Sequence, residues 1–129
     1  VRVPLASGLL SGKLTPESTF NPNDHRHGNR NGEWFDKGGT LAGVPFQTGL
    51  EAVEKLKDIF NGYDSLAQVA LKWILLNQKI GVIIPGASKL QHIQNNMRAG
   101  NIIKFSDEQL QATQDIYEYS IKPHIHDLW

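Results

Sequence analysis

Two stretches of the chain gather hydroxyl residues, glycine and a base in a way that suits a phosphate. The first is Ser7-Gly8-Leu9-Leu10-Ser11-Gly12-Lys13. Glycine there allows close backbone approach to a ligand, and Lys13 supplies a point charge. The second is Pro85-Gly86-Ala87-Ser88, followed by Lys89, Gln91, His92, Asn95 and Asn96. Ser88 with Gln91 three residues later has capping-box spacing, so a helix is expected to open there with free N–H groups and its positive dipole end at the turn. Such a terminus attracts anions. The plainer reading of either stretch is a turn with a solvated lysine, since glycine-rich turns are common without ligands.

Other candidates carry less chemistry. His25 and His27, or His124 and His126, alternate as metal ligands on an extended strand would, but no Cys or acidic partner completes a set, and metal binding is not expected. Asp24 and Asp36 lack an evident partner and read as turn formers. The chain has no cysteine, which excludes disulfides, thiol catalysis and Cys-based zinc sites. Thirteen basic and thirteen acidic residues cancel, so neither a nucleic-acid footprint nor an electrostatic membrane contact is expected. No apolar run approaches the roughly 20 residues of a membrane span, no signal peptide opens the chain, and a cytoplasmic location is consistent with the lack of cysteine. The 129 residues suit a single domain, and the start at Val1, inside an extended stretch, suggests part of a longer protein.

The elements that would position these loops follow from periodicity. Val1 to Ala6 reads as a short strand with Pro4 near its end. Residues 16 to 48 are turn-rich and least regular, either a lid over a ligand or a flexible excursion. From Thr48 to Phe60 the apolar period is 3.6, and Asn61-Gly62 reads as the helix stop. Ser65 and Gln68 form a second capping box, opening a helix to about Asn77 that is apolar nearly all round, with Lys72 and Gln68 as its wet stripe. It feeds Ile80-Gly81-Val82-Ile83-Ile84, a buried strand by its β-branched run. The helix after Ser88 turns Leu90, Ile93 and Met97 inward and stops at Gly100, and Ser106 with Gln109 opens a last helix with Leu110, Thr113, Ile116 or Tyr117, and Ile121 inward. Trp34, Trp73 and Trp129 read as core or docking residues, Trp129 closing a docked tail. A helix leading into a buried parallel-type strand is an α/β signature.

Pro4-Leu5-Ala6-Ser7-Gly8-Leu9-Leu10-Ser11-Gly12-Lys13, Leu66-Ala67-Gln68-Val69-Ala70-Leu71-Lys72-Trp73 and Ile84-Pro85-Gly86-Ala87-Ser88 with Asn96 together resemble the aldo-keto reductase family. Their order and spacing are similar to its seventh strand and helix and its eighth strand and helix, and Pro123-His124-Ile125-His126 with Trp129 resembles its bacterial members. The resemblance implies an α/β fold: the C-terminal part of a (β/α)8 TIM barrel, about strands 7 and 8 with their helices, incomplete and mostly helical. It implies that Leu5, Ala6 and Ser7 lie along the pyrophosphate of NADP, with Gly8 allowing close approach and Lys13 near the phosphates. Gly86 and Ser88 would face the 2′-phosphate ribose. His92 stands where the family usually has Arg or Gln beside the adenine, Asn95 replaces the usual Glu, and Asn96 keeps the family's Asn. These departures leave NAD open as an alternative cofactor. By the resemblance, Arg26 on the long loop would match an arginine that closes over the cofactor.

By the same resemblance the parent is an NAD(P)H-dependent reductase of aldehydes or ketones. Its Asp, Tyr, Lys and His tetrad lies on earlier strands, so this stretch alone is expected to be inactive. The expected partner is the N-terminal part of the barrel or a second copy, because two strands with bare edges are a pairing hazard. The alternatives are a non-catalytic nucleotide-binding or regulatory module, as in the family's potassium-channel beta-subunit relatives, and a ligand-free structural remnant.

Overall fold

In the computed structural model, which describes residues 1–128, the 3.6-residue apolar period governs the architecture. Six α-helices follow one another: α1 His25–Gly28, α2 Phe46–Ile59, α3 Leu66–Leu75, α4 Leu90–Arg98, α5 Asp107–Ile116 and α6 Lys122–Ile125. Short 3₁₀ helices at Ala6–Ser11, Lys37–Gly39 and Leu41–Gly43 fold the first third of the chain onto α2 and α3. Helix α2 buries Leu50, Ala52 and Val53, and the close approach of Leu9 requires Gly49, where an added Cβ would lie 2.7 Å from Leu9 Cδ2. Between α5 and α6 the chain widens into a π-helical stretch, Tyr117–Ile121. Pro123 has no N–H to give to the carbonyl four residues back, and the wider turn falls where that bond is missing.

The core has two parts. Leu9, Leu41, Leu50 and Val53 form one, and Phe60, Val69 and Phe105 form the other. Leu66 packs against both and joins them. In the second part, Phe60, Tyr63 and Phe105 meet edge to face with centroids 5.0 to 5.7 Å apart, a geometry that adds to simple burial. Ser106 closes a full capping box on α5, accepting from the Gln109 N–H while the Gln109 side chain accepts from the Ser106 N–H.

Several expectations are corrected. Neither expected strand forms: among the described residues the β-structure is one parallel bridge between Arg2 and Ile84. The Val1 amino group donates to the Val82 carbonyl at 2.7 Å, and the Ile84 N–H donates to Val1 at 3.0 Å. Two extended segments without a third strand or a covering layer do not make a stable sheet. Ile84 is accordingly 67% exposed instead of buried. The same lack of cover leaves the inner face of α4 in solvent, with Leu90, Ile93 and Met97 all exposed. Ser88 does not cap that helix; Lys89 is its N-cap residue and makes no side-chain cap bond. Ser65 likewise makes no cap bond on α3, and Gln68, expected to be wet, is buried. Helix α2 ends at Ile59 with Phe60 as its C-cap residue, ahead of Asn61-Gly62. Trp34 and Trp73 are about half exposed, while the docking expected of Trp129 lies outside the described residues. No helix among the described residues is long and apolar enough to cross a membrane.

Candidate functional site

Ser7 is where the structure concentrates its unusual geometry. Ala6, Ser7 and Gly8 all have positive φ, at 46°, 56° and 95°. Facing them, Leu41, Ala42 and Gly43 do the same, at 51°, 57° and 79°. Left-handed backbone costs a non-glycine residue roughly 1–2 kcal/mol, and such outliers persist only where surrounding contacts impose them. Here the contact is direct: the Leu41 N–H donates to Ser7 Oγ at 3.2 Å. An added Cβ at Gly8 would lie 3.4 Å from the Arg26 guanidinium, an ordinary contact distance, so it is the φ of 95° that calls for glycine there.

Arg26 reaches Ser7 from the segment that reads as least regular. Its Nη1 donates to the Ser7 carbonyl at 3.3 Å, and its guanidinium lies 4.5 Å from the Phe20 ring centroid. Phe20 meets Phe46 edge to face, and Arg30 stacks on Phe46 at 4.7 Å, so two cations rest on one aromatic pair. Asp24 caps α1 by accepting from the Arg26 N–H and also accepts from Arg26 Nε and Nη2, at 3.0 and 2.6 Å. Those side-chain bonds, with the backbone bond and the guanidinium charge, hold the Asp24 pKa down at about 2 against the opposing effect of burial. The same bond raises the Arg26 pKa.

A buried amide gives this segment its shape. Asn29 is 0% exposed. Its Oδ1 accepts from the Trp34 and Phe35 N–H groups at 2.8 Å, and its Nδ2 donates to Thr40 Oγ1 at 3.0 Å. His25 Nδ1 meets the same hydroxyl at 3.0 Å. Every polar function of the buried pair therefore has a partner inside the loop.

The remaining candidates are placed less tightly. Leu5 accepts the Gly8 and Leu10 N–H groups and stays beside Ser7. Lys13 is exposed and borders a polar hollow of about 320 Å3 with Lys57, Tyr63, Asp64 and Ser65. Gly86 and Ser88 are exposed, and the Ser88 N–H and Oγ both lie 3.4 Å from His92 Nδ1. Asn95 accepts from Gln91, and Asn96 is half-buried. Among the described residues no hydrogen bond joins this group to Ser7, Gly8 or Arg26. The parallel sense of the Arg2–Ile84 bridge nevertheless sends both loops off the same end of the paired segments.

The expectation that Asp24 lacks a partner is corrected, since Arg26 engages both of its carboxylate oxygens, and sequence reasoning passes over Asn29 and Thr40 altogether. Asp24 carries a local signal, an Asp two residues ahead of an Arg after an Asn-Pro-Asn turn. Asn29 and Thr40 carry none, because their pairing spans eleven residues.

The sequence model of the "Aldo/keto reductase family" matches residues 1–118. The chain is 31% identical over 121 residues to "Aldo-keto reductase str7" of Strobilurus tenacellus, covering 93% of this chain and 33% of that protein. It is 30% identical over 108 residues to the "L-glyceraldehyde 3-phosphate reductase" of Escherichia coli O157:H7, covering 83% and 30%. It is 33% identical over 101 residues to a "Probable voltage-gated potassium channel subunit beta" of Arabidopsis thaliana, covering 78% and 29%. The chain thus spans about a third of the length of these relatives. No solved structure shows a significant match. With nearly its whole length matched, the chain belongs to the aldo/keto reductase family.

Proposed function

We propose that this chain is the cofactor-binding, C-terminal portion of a cytoplasmic NAD(P)H-dependent reductase of aldehydes or ketones. It would correspond to about strands 7 and 8 of a (β/α)8 barrel with their helices. The observation that carries the reading is the convergence on Ser7. A strained, glycine-containing turn, a guanidinium aimed at it and a hydroxyl fixed by a second loop form a donor set suited to a phosphate ester. Leu5, Ala6, Ser7, Gly8, Lys13 and Arg26 would hold the pyrophosphate. Gly86, Ser88, His92, Asn95 and Asn96 would hold the adenosine end.

The residues fit such a group. Gly8 holds its left-handed turn beside the Arg26 guanidinium, and Ser88, just ahead of α4, is exposed with its hydroxyl 3.4 Å from His92 Nδ1. When bound, NADPH supplies the hydride that reduces a carbonyl. This chain's part is to bind and orient the nucleotide; the proton donor is expected on the N-terminal strands of the parent. NADP is the first expectation and NAD the second, with His92 and Asn95 as the residues that decide. Isothermal titration of the chain with NADPH and with NADH tests this. Binding that falls about tenfold or more in Arg26→Ala, the scale of a charge-assisted hydrogen bond, is expected. No heat at millimolar NADPH would overturn it.

The exposed face of α4 and the unpaired edges beside Ile84 favour association, with the N-terminal part of the barrel or with a second copy. Light scattering showing a monomer at high concentration would count against self-association. A non-catalytic nucleotide-binding module is the second reading, favoured by the channel-subunit relative. Assay of the parent protein with aldehydes separates the two.

A further inference from the structure

We infer that Asp24 is a positioning residue for nucleotide binding, holding two guanidinium nitrogens of Arg26 so that the third is aimed at Ser7. The inference rests on the nucleotide reading above. Asp24 Oδ1 accepts from both the backbone N–H and the Nε of Arg26, at 2.9 and 3.0 Å, while Oδ2 accepts from Nη2 at 2.6 Å. With Nε and Nη2 engaged on one edge, Nη1 is left to donate to the Ser7 carbonyl at 3.3 Å. The Phe20 ring, 4.5 Å from the guanidinium, closes one face. An arginine side chain otherwise samples many rotamers, and fixing it before the ligand arrives removes an entropic cost of binding.

Two effects of Asp24 on an anion oppose each other. Its negative charge offsets that of Arg26 and disfavours a phosphate, whereas its grip presents the donor in a set direction. Both side chains are only 24% and 29% exposed, so the pair is partly shielded from water and its geometry is held by packing as well as by charge. The shielding strengthens the bonds that fix the donor's direction as well as the opposing charge, and the inference is that direction outweighs charge. This yields a sign: neutralising Asp24 weakens binding, although the chain gains positive charge.

Asp24→Asn and Asp24→Ser test it, since Asn and Ser both retain an oxygen able to cap α1 while removing the carboxylate fork. In each, NADPH affinity of the chain is expected to fall about 3- to 10-fold, within the range of one charge-assisted contact. Affinity for 2′-AMP, which lacks the pyrophosphate, is expected to stay the same. In an Arg26→Ala background Asp24→Asn should have no further effect, whereas a merely structural role would still show. The clasp is also read without nucleotide, as a slowly exchanging Arg26 Nε–H resonance present in the unaltered chain and lost in both variants. Unchanged or tighter NADPH binding in the variants, an equal loss for 2′-AMP, a loss that persists without Arg26, or no held Nε–H in the unaltered chain would each overturn the inference. A held Nε–H in a chain that binds no NADPH would instead overturn the nucleotide reading, and with it the role assigned to Asp24.

Discussion

The two glycine-and-serine loops look alike in sequence and differ in what holds them. The one at Ser7 is fixed by Arg26, by the Leu41 N–H and by a core of Leu9, Leu41, Leu50 and Val53 beneath it. The one at Gly86 follows an extended segment whose Val82 and Ile84 face water and precedes a helix with its apolar face in solvent. One loop is supported by contacts within the chain, while the other needs a surface that the chain does not supply. Local motif chemistry is thus the same at both sites, and tertiary cover decides which is preorganised.

The largest test of that contrast is a pair of truncations. Leu41→Ala, at a side chain only 2% exposed, is expected to cost about 2–5 kcal/mol in chemical denaturation, the usual range for a buried leucine. Leu90→Ala, on α4 and 71% exposed, should stay within about 0.5 kcal/mol. Equal losses at both positions would erase the distinction. Next comes Asn29→Ala, which strands the Trp34 and Phe35 N–H groups. An unpaired buried polar group costs about 1–3 kcal/mol, and hydrogen exchange at those two amides should accelerate more than in α3.

Smaller effects sharpen the picture. Ser106→Ala should cost about 1 kcal/mol as a lost cap, while Ser65→Ala, where no cap bond exists, should leave the thermal midpoint nearly unchanged. A further effect concerns acid. The folded pKa of Asp24 lies at about 2, below its ordinary value of 3.8. Its contribution to stability is therefore complete above the ordinary value and is lost as pH falls toward and through the folded one. Denaturation curves between these limits should show a steeper decline in the unaltered chain than in Asp24→Asn.

The Ser-x-x-Gln motifs show how far sequence carries here. The spacing occurs at Ser65, Ser88 and Ser106, and it makes a capping box only at Ser106. At Ser106 the backbone enters at φ −73°, which turns the hydroxyl toward the Gln109 N–H; at Ser65 it enters at −160°, and Gln68 is drawn into the interior. Cap chemistry is local, but the angle of entry is set by packing that the motif does not encode. Helix α2 is legible because its period encodes its buried face, and Ser7, Gly8 and Arg26 are legible as a group through family resemblance. The strand at Ile80 to Ile84 is misread because β-branched residues report an environment they require, not one that the chain provides. The Asn29–Thr40 pair stays hidden because nothing short-range marks it.

The most direct measurement is a residue-resolved NMR titration of the chain with NADPH. The expected result is chemical-shift change at Leu5, Ala6, Ser7, Gly8 and the Arg26 side chain at low nucleotide concentration, with Gly86, Ser88 and His92 responding weakly or only at higher concentration. Shifts confined to Gly86 through Asn96, with the Ser7 loop silent, would contradict the claim that the preorganised phosphate site is the one built on Ser7.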